Sequence, residues 1–353
     1  MKILFASFNY HRPEGFTGVS VTMHALALAI RRRGHEIALV VGSRSGGEER
    51  PQPERSLGYP VFRCGTAAAF ARVLALEPLD ALMWHCNEAP PMIRATRARV
   101  RRAVAYLQNA EFRPDYAEAV AWPGFRWIAN SQFTARIFAN RFGVRPAVIH
   151  QPIASADYKV SPRGTYVLFV SPLPRKGAER ALELAEHFPS IPFRFPESWL
   201  LRTDEARPFH ERAERAGNIR WHGPAADMRE AFAGARLVLM PSVWPESWGR
   251  TASEAGVSGI PVLGARVGGL PEAVGPGGVL IDPLAPVEHW IDALDRLWHD
   301  GDHHRTLANA ARIYATRPEI DVERVTDRML AEIVRPHGIG GDPPPRLSSP
   351  DPA

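Results

Sequence analysis

The sequence has few cysteines and no long apolar run. Its 353 residues include only two cysteines, Cys64 and Cys86, which are too few for a disulfide framework and do not form the pattern of a zinc site. No stretch is long and apolar enough to span a membrane. The apolar N-terminal run is broken at residues 9–13, too early for a signal peptide. We therefore expect a cytoplasmic protein.

The two commonest nucleotide-binding fingerprints are also missing. No G-x-G-x-x-G follows the first apolar run, and no Walker A motif occurs in the chain, which argues against a nicotinamide dehydrogenase. The sequence has no acidic motif of the kind that holds a divalent cation on phosphates. We therefore expect neither a metal nor another cofactor.

Lysine is scarce and basic charge is unevenly divided. Residues 1–155 carry 20 Lys/Arg against 11 Asp/Glu, whereas residues 156–353 carry 23 against 27. The basic half includes Arg31–Arg33 and five arginines within residues 94–102. Two interpretations stay open: solvated helix faces, or attraction of an anionic acceptor or of the inner membrane face, where the N-terminal domain would bind peripherally. No motif supports nucleic-acid binding.

The order of apolar runs predicts a doubly wound α/β fold. Residues 2–8 read as a buried strand, residues 19–33 as a helix closed by Gly34, and residues 37–41 as a second strand, a unit that requires a parallel sheet. The pattern restarts at residues 166–170 with a strand, the loop SPLPRKG and a helix at residues 178–187. Further strands are predicted at residues 81–85, 103–108, 127–130, 193–195, 219–222, 237–240 and 261–264.

This restart predicts two Rossmann-like domains that face a deep cleft. Residues 1–155 would form the acceptor-side domain and residues 156–318 the donor domain. A helix near residues 319–335 would pack back on the first domain. The Pro/Gly/Ser-rich residues 338–353 predict a disordered tail.

The segment at residues 237–282 has the richest chemistry. A strand runs into a loop at residues 241–249, and a helix opens near Arg250 and Thr251 and ends at Gly259. Glu246 lies in the loop and Glu254 in the first turns of the helix. Helix N–H groups suit phosphate, and carboxylates accept hydrogen bonds from vicinal hydroxyls. The segment predicts a sugar-diphosphate site; the alternative is a dipole-stabilising Glu254 and a solvated Glu246.

The same segment resembles the E-x7-E region of the retaining glycosyltransferases of family 4, which have the GT-B fold. The resemblance covers most of residues 1–335 and is most specific at residues 237–282. Its matching elements are Pro241-Ser242, Glu246, Trp248-Gly249, Glu254-Ala255, Gly259–Val262 and Gly268–Glu272, with Asn130–Thr134 and Asn218–Gly223 upstream.

The resemblance implies a role for each matching residue. Glu246 would bind hydroxyls of the donor sugar and Glu254 the ribose. Lys176 would bind the diphosphate, where negative charge grows in the transition state. His85 would lie near the transferred sugar, which makes His85, Lys176 and Glu246 the predicted catalytic set. The remaining predicted donor-binding residues are Gly18, Arg175 and, through backbone N–H groups, Ser247, Trp248, Gly249, Arg250 and Thr251.

One departure from the family pattern concerns the phosphate site. Ser171-Pro172 stands where the family usually has Gly-Arg, and Arg175 is the candidate substitute for the missing arginine. His11, Asn87 and Glu111 are weaker candidates on the acceptor side.

By resemblance, the reaction is transfer of a hexose-type sugar from a nucleotide sugar to a hydroxyl acceptor, with retention and without a metal. UDP is the expected nucleotide and GDP the next. The departing phosphate would take the acceptor's proton. The alternatives are a non-catalytic nucleotide-sugar-binding protein on the same fold and a nucleotide-sugar epimerase.

Overall fold

The structure is a computed structural model that describes residues 1–13, 17–43, 51–76, 78–85, 96, 100, 102–112, 122, 125–197, 203–225 and 227–335. The chain divides into two compact units. Unit 1 combines Met1–Pro152 with the residues from Val322 onward, and unit 2 is Ile153–Asp321. The sequence prediction had set these boundaries at residues 155 and 318. The predicted disordered tail lies outside the described residues.

Unit 1 contains a seven-stranded parallel sheet in the order β3-β2-β1-β4-β5-β6-β7. Chain order reverses between β1 and β4, as in a doubly wound fold, so this part of the predicted fold class is confirmed. Its elements are β1 (Lys2–Tyr10), α1 (Gly18–Arg32), β2 (Glu36–Gly42), β3 (Val61–Arg63), α2 (Ala67–Leu76), β4 (Ala81–His85), β5 (Ala103–Leu107), β6 (Phe125–Ala129), α3 (Gln132–Phe142), β7 (Ala147–Val148) and α11 (Val322–Val334).

Alternating residues of the unit 1 strands fill two separate cores, because successive side chains of a strand point to opposite faces. Leu4 packs with residues of α2 and α3, whereas Phe5 packs with residues of α1 and α11. The sheet is therefore covered on both faces, as parallel sheets are.

Helix α11 returns to unit 1 after all of unit 2 and packs against α1. Its residues Val325, Met329 and Ile333, spaced one turn apart, are fully buried in the core that contains α1. Arg33 lies 2.6 Å from carboxylate oxygens of both Glu323 and Asp327.

This helix changes the interpretation of the basic cluster Arg31–Arg33. Arg32 also pairs with Glu323, at 2.6 Å. Two of the three arginines in the cluster Arg31–Arg33 thus have acidic partners within unit 1 and do not form an unpaired basic patch. Four of the five arginines in the second cluster, at positions 94, 97, 99 and 101, lie outside the described residues.

Unit 2 contains a six-stranded parallel sheet in the order β10-β9-β8-β11-β12-β13. Helices cover both faces, which confirms the second Rossmann-like fold. Its elements are β8 (Tyr166–Leu168), α4 (Ala178–His187), β9 (Phe193–Pro196), α5 (Thr203–Ala216), β10 (Ile219–His222), α6 (Met228–Phe232), β11 (Ala235–Met240), α7 (Arg250–Gly256), β12 (Val262–Ala265), α8 (Leu270–Val274), β13 (Gly278–Ile281), α9 (Val287–His299) and α10 (Gly301–Ala315).

Several element boundaries differ from the sequence prediction. Strand β1 runs to Tyr10 and α7 ends at Gly256, whereas the sequence had suggested Phe8 and Gly259. Strands β3, β7 and β13 were not predicted. Across the described ranges, no helix has both the length and the apolar character needed to cross a bilayer.

Candidate functional site

Two loops of unit 2 meet at one edge of its sheet. Strands β8 and β11 are parallel neighbours, so the loops that follow them lie at the same edge. The backbone nitrogens of Val243 and Trp244 donate hydrogen bonds to the carbonyl of Arg175, at 3.2 and 3.1 Å. Gly177 has φ +84°, and a Cβ there would lie 2.0 Å from the Pro241 carbonyl oxygen. Only glycine permits this close approach of the two loops.

The approach brings together two residues of the predicted catalytic set, Lys176 and Glu246. The ammonium nitrogen of Lys176 lies 2.6 Å from Oε1 of Glu246, and these side chains are 25% and 10% exposed. The hydroxyl of Ser242 donates a second hydrogen bond to the same oxygen, at 2.9 Å. The site therefore offers a carboxylate that accepts hydrogen bonds beside a cation that donates them.

The loop after β12 holds the backbone of Glu246. The nitrogen of Gly269 donates to the Glu246 carbonyl at 2.6 Å. Gly268 has φ +56°, and a Cβ at this position would lie 2.1 Å from the same carbonyl oxygen. The first glycine of the G-G-L-P-E element thus has a structural reason: it lets a third loop pack directly against the carboxylate-bearing loop.

The second carboxylate, Glu254, lies one turn along α7 from Arg250. Nε of Arg250 is 2.6 Å from Oε1 of Glu254, and both side chains are 8% exposed. Arg250 also donates from Nη2 to the hydroxyl of Tyr158, at 3.2 Å. Burial raises the pKa of Tyr158, so its hydroxyl stays protonated at neutral pH.

The remaining loop residues divide between core and surface. The Trp248 side chain is 1% exposed in the unit 2 core, and its indole nitrogen donates to Ser253 at 3.2 Å. The side chain is therefore part of the core, and the prediction for Trp248 concerns its backbone N–H alone. Gly249 precedes α7 with φ +98°, and no side chain caps the helix. Ser247 and Thr251 are partly buried.

The departure from the family's phosphate pattern has a backbone counterpart. Ser171 has φ +60°, a left-handed conformation that glycine adopts far more readily than serine. The chain thus keeps a glycine-like bend where the family has Gly. Arg175, the candidate substitute for the missing arginine, is exposed, and its guanidinium carbon lies 5.8 Å from the centre of the Trp244 ring.

In unit 1, His85 lies at the end of β4 and is held by two glutamines. Its Nδ1 is 2.9 Å from the amide nitrogen of Gln108, and the amide oxygen of Gln108 accepts from Gln151 at 3.1 Å. This arrangement makes Nδ1 the acceptor and leaves the proton on Nε2. Nε2 is buried without a hydrogen-bond partner among the described residues. Burial lowers the pKa of His85 to about 3, so the ring is neutral.

His11 belongs to a second cluster of polar rings, with Tyr59 and His24. Its Nε2 lies 3.1 Å from the hydroxyl of Tyr59, which is also 2.5 Å from Nδ1 of His24. Burial and the neighbouring His24 lower the pKa of His11 to about 3.

The other unit 1 candidates are less informative. Gly18 is the exposed first residue of α1, after a capping box formed by Thr17 and Ser20. Glu111 is exposed, and Asn87 lies outside the described residues.

A cavity of about 890 Å³ in unit 2 lies apart from the two carboxylates. It runs along β9 and β10, and none of the predicted site residues lines it. Its lining includes Arg194, Glu197, His210 and Trp221, and it reaches His222-Gly223 at the end of β10, the strand that the family resemblance places before the base-binding loop. The carboxylates, by their chemistry, define the candidate site better than this cavity does. Within the described residues, no cluster of His, Cys, Asp and Glu suits a metal ion.

Sequence reasoning missed the residues that support the site. Tyr158 lies 92 positions before Arg250, and Gln108 and Gln151 are single glutamines in unremarkable contexts. The one available signal was position: Gln108 is the last residue of a predicted strand, at the edge where ligands of such sheets bind.

Two family models match consecutive parts of the chain. The model described as Glycosyltransferase Family 4 matches residues 16–156, and the model described as Glycosyl transferases group 1 matches residues 153–314. Together they span residues 16–314, which is most of unit 2 and the larger part of unit 1, whereas α11 lies outside both matches.

Curated relatives match over a shorter stretch. A D-inositol 3-phosphate glycosyltransferase of Corynebacterium diphtheriae is 42% identical over 90 residues, which are 25% of this chain and 21% of that protein. The protein of the same name from Mycobacterium tuberculosis is 39% identical over 116 residues, which are 32% and 23% of the two chains. The matched stretch is thus about a fifth of the length of each relative.

Solved structures match over almost the whole chain. Anabaena Alr3699/HepE, in complex with UDP and glucose, has a TM-score of 0.76 at 21% identity and covers 94% of this chain and 98% of its own. A sucrose-phosphate synthase from Thermosynechococcus elongatus has a TM-score of 0.78 at 16% identity, with coverage of 93% and 97%. At these identities the likeness establishes the fold alone.

Proposed function

This chain belongs to glycosyltransferase family 4 and has the GT-B fold of two Rossmann-like domains, and we propose that it transfers a hexose-type sugar from a nucleotide sugar to a hydroxyl acceptor with retention of anomeric configuration. The observation that carries the proposal is the pair Lys176–Glu246, at 2.6 Å. Its two loops follow neighbouring strands at the carboxyl edge of the sheet, the edge where ligands of such sheets bind.

Each member of the pair has a distinct task in the proposed reaction. Glu246 accepts hydrogen bonds from hydroxyls of the donor sugar. Lys176 exchanges its carboxylate partner for the diphosphate, where it stabilises the negative charge that develops as the glycosidic bond breaks. The departing phosphate oxygen takes the acceptor's proton on the same face of the sugar, which accounts for retention without an enzymic nucleophile.

The rest of the donor would lie along α7. Backbone N–H groups of residues 247–251 would bind the diphosphate, and Glu254 would accept hydrogen bonds from the ribose hydroxyls. UDP is the proposed nucleotide, with GDP next. The solved structures of Anabaena Alr3699/HepE contain UDP, UDP and glucose, or UDP-glucose, which supports this order.

The acceptor is proposed only as a hydroxyl compound. The curated relatives are named for D-inositol 3-phosphate, and the match covers about a fifth of each. His85 would contact the transferred sugar through Nε2–H, as a neutral donor. We place the protein in the cytoplasm.

The deciding experiment combines binding with product analysis. The purified chain is titrated with UDP-glucose, UDP-N-acetylglucosamine, GDP-mannose and ADP-glucose, since a ligand that binds only the folded state raises the melting temperature. Any donor that binds is then incubated with candidate acceptors, and products are analysed by mass spectrometry and by anomeric proton NMR.

The outcomes separate the competing functions. A transferred sugar with the donor's anomeric configuration supports the proposal. Binding without hydrolysis or transfer favours the non-catalytic sugar-nucleotide-binding protein, for which Ser171-Pro172 in place of Gly-Arg is the supporting observation. Conversion of the donor into an isomer indicates an epimerase. Failure of all four donors to bind would overturn the proposal.

A further inference from the structure

Glu254 is paired with Arg250, and Arg250 is hydrogen bonded to Tyr158; the family resemblance gives neither side chain a role toward Glu254. Arg250 contacts its Oε1 at 2.6 Å from one turn earlier in α7. Tyr158, which lies before the first strand of unit 2, accepts a hydrogen bond from Arg250 at 3.2 Å. Three polar groups from two distant parts of the sequence thus form one buried cluster.

The main chain around Tyr158 is hydrogen bonded to Ser258. The hydroxyl of Ser258, just after α7, donates to the Tyr158 carbonyl at 3.1 Å and accepts from the nitrogen of Val160 at 2.8 Å. The Tyr158 ring is 8% exposed and packs in the same core as Ala252 and Ala255 of α7. The segment that carries Tyr158 is therefore attached to the far end of the helix that carries Glu254.

This attachment matters because a glutamate side chain has three rotatable bonds. To accept hydrogen bonds from both hydroxyls of a vicinal diol, its carboxylate plane must be fixed, and fixing it beforehand avoids an entropic cost on binding. A nearby guanidinium also offsets the cost of burying the negative charge. A partner removed from a buried cluster of this kind leaves the others misaligned.

We propose that Tyr158 and Arg250 are positioning residues that orient the Glu254 carboxylate toward the ribose hydroxyls of the donor. The proposal rests on the proposed function, in which Glu254 reads the ribose. It makes selectivity for ribonucleotides over deoxyribonucleotides depend on a tyrosine almost a hundred residues away from the carboxylate in the sequence.

The test compares the affinities of UDP and 2′-deoxy-UDP by calorimetry. The wild-type protein is expected to bind UDP more tightly. Tyr158→Phe, which removes only the hydroxyl, is expected to lower UDP affinity about three- to tenfold, the value of one hydrogen bond, and to change 2′-deoxy-UDP affinity much less. Arg250→Lys keeps the charge but changes the donor geometry, and it is expected to reduce the selectivity further.

Tyr166→Phe is the matched control. Tyr166 lies at the amino end of β8, away from the carboxylates, and its hydroxyl donates to the Ala231 carbonyl at 2.6 Å. This variant loses an equally buried tyrosine hydrogen bond in the same unit, and its ratio of UDP to 2′-deoxy-UDP affinity is expected to equal that of the wild type.

Each result has a defined meaning. Equal weakening of both nucleotides in Tyr158→Phe, or no change in either, would overturn the positioning role. A wild type that binds UDP and 2′-deoxy-UDP equally would remove Glu254 from the ribose site while the proposed glycosyl transfer stands. If the wild type binds neither, GDP is compared with 2′-deoxy-GDP and ADP with 2′-deoxy-ADP. Failure of all pairs overturns both proposals.

Discussion

The backbone nitrogen of Gly269 lies 2.6 Å from the carbonyl oxygen of Glu246. This hydrogen bond joins the loop after β12 to the loop after β11, and Gly268 beside it has no room for a side chain. The position of the Glu246 carboxylate therefore depends on three loops: its own, the Gly268-Gly269 loop and the lysine loop that follows β8.

Gly268→Ala is expected to damage the site more than the fold. An added Cβ would lie 2.1 Å from the Glu246 carbonyl oxygen, so the Glu246 loop must shift and transfer activity should fall at least tenfold. Gly34→Ala is the matched control. Gly34 also has a positive φ, +78°, but no atom lies within 4 Å of its added Cβ, so the change is expected to cost about 1 kcal/mol of stability. Equal activity of the two variants in steady-state assays would contradict the role of Gly268.

Lys176→Ala is expected to lower kcat about 100-fold or more while it weakens donor binding less than tenfold. The reason is that charge on the diphosphate grows as the bond breaks. Lys176→Arg serves as the charge-preserving comparison. The measurements are kcat at saturating donor and donor affinity by calorimetry. A kcat near that of the wild type would mean that the phosphate clamp lies elsewhere, and Arg175→Ala would be the next variant.

Transfer is expected to survive EDTA. The expectation rests on the lack of an acidic cluster in the phosphate loops of the sequence, where cationic side chains and backbone N–H groups would neutralise the diphosphate instead. Turnover is measured with and without chelator, followed by Mg²⁺ or Mn²⁺. Activity that is lost with EDTA and restored by either ion would contradict the metal-free reaction.

Acid is expected to destabilise unit 1 through two histidines. Burial lowers the pKa of His11 and of His85 from 6.5 to about 3. Below pH 6.5 the unfolded chain binds protons that the folded state does not. The contribution of the two histidines to stability is therefore fully present above pH 6.5. It is lost as the pH falls toward 3, by at most about 1.4 kcal/mol per pH unit for each histidine.

Urea unfolding at pH 7, 6 and 5 measures this loss. His85→Gln is expected to reduce the slope of stability against pH but not to abolish it, because His11 and the half-buried His304, whose pKa burial also lowers, still contribute. An unchanged slope in this variant would show that His85 is protonated in the folded state.

Two substitutions separate the apolar and ionic parts of the contact between α11 and α1. Met329 is fully buried, so Met329→Ala is expected to cost about 2–5 kcal/mol of unfolding free energy. The partners of Arg33 are about half exposed or more, so Arg33→Ala is expected to cost about 1 kcal/mol or less. Chemical denaturation gives both values, and the reverse order would mean that charge, not apolar burial, holds α11.

Much of the fold could be predicted because long apolar runs and their turn residues carry local signals. The bounds of β4, α4 and β10 were predicted without error. Strands β3 and β7 have three and two residues, too few for any periodicity, and β13 begins at the second of two consecutive glycines. These three depend on a neighbouring strand for their hydrogen bonds, so no local pattern indicates them.

The candidate site could be predicted as a set of residues but not as a set of contacts. The family resemblance indicated Glu246, Glu254 and Lys176. It did not indicate that Lys176 pairs with Glu246 or that Glu254 pairs with Arg250. Trp248 shows what the motif left open: the prediction concerned its backbone N–H alone, and the structure places its side chain in the core. Side-chain direction depends on tertiary packing, which a spacing pattern does not contain.

The return of α11 to unit 1 has a consequence for biosynthesis. A ribosome translates all of unit 2 before it reaches Val322, so nascent unit 1 lacks the residues that cover part of its α1 face for the whole of that time. Domains usually fold in the order in which they leave the ribosome. Here the N-terminal unit begins first and finishes last, and the insertion of unit 2 sets the delay.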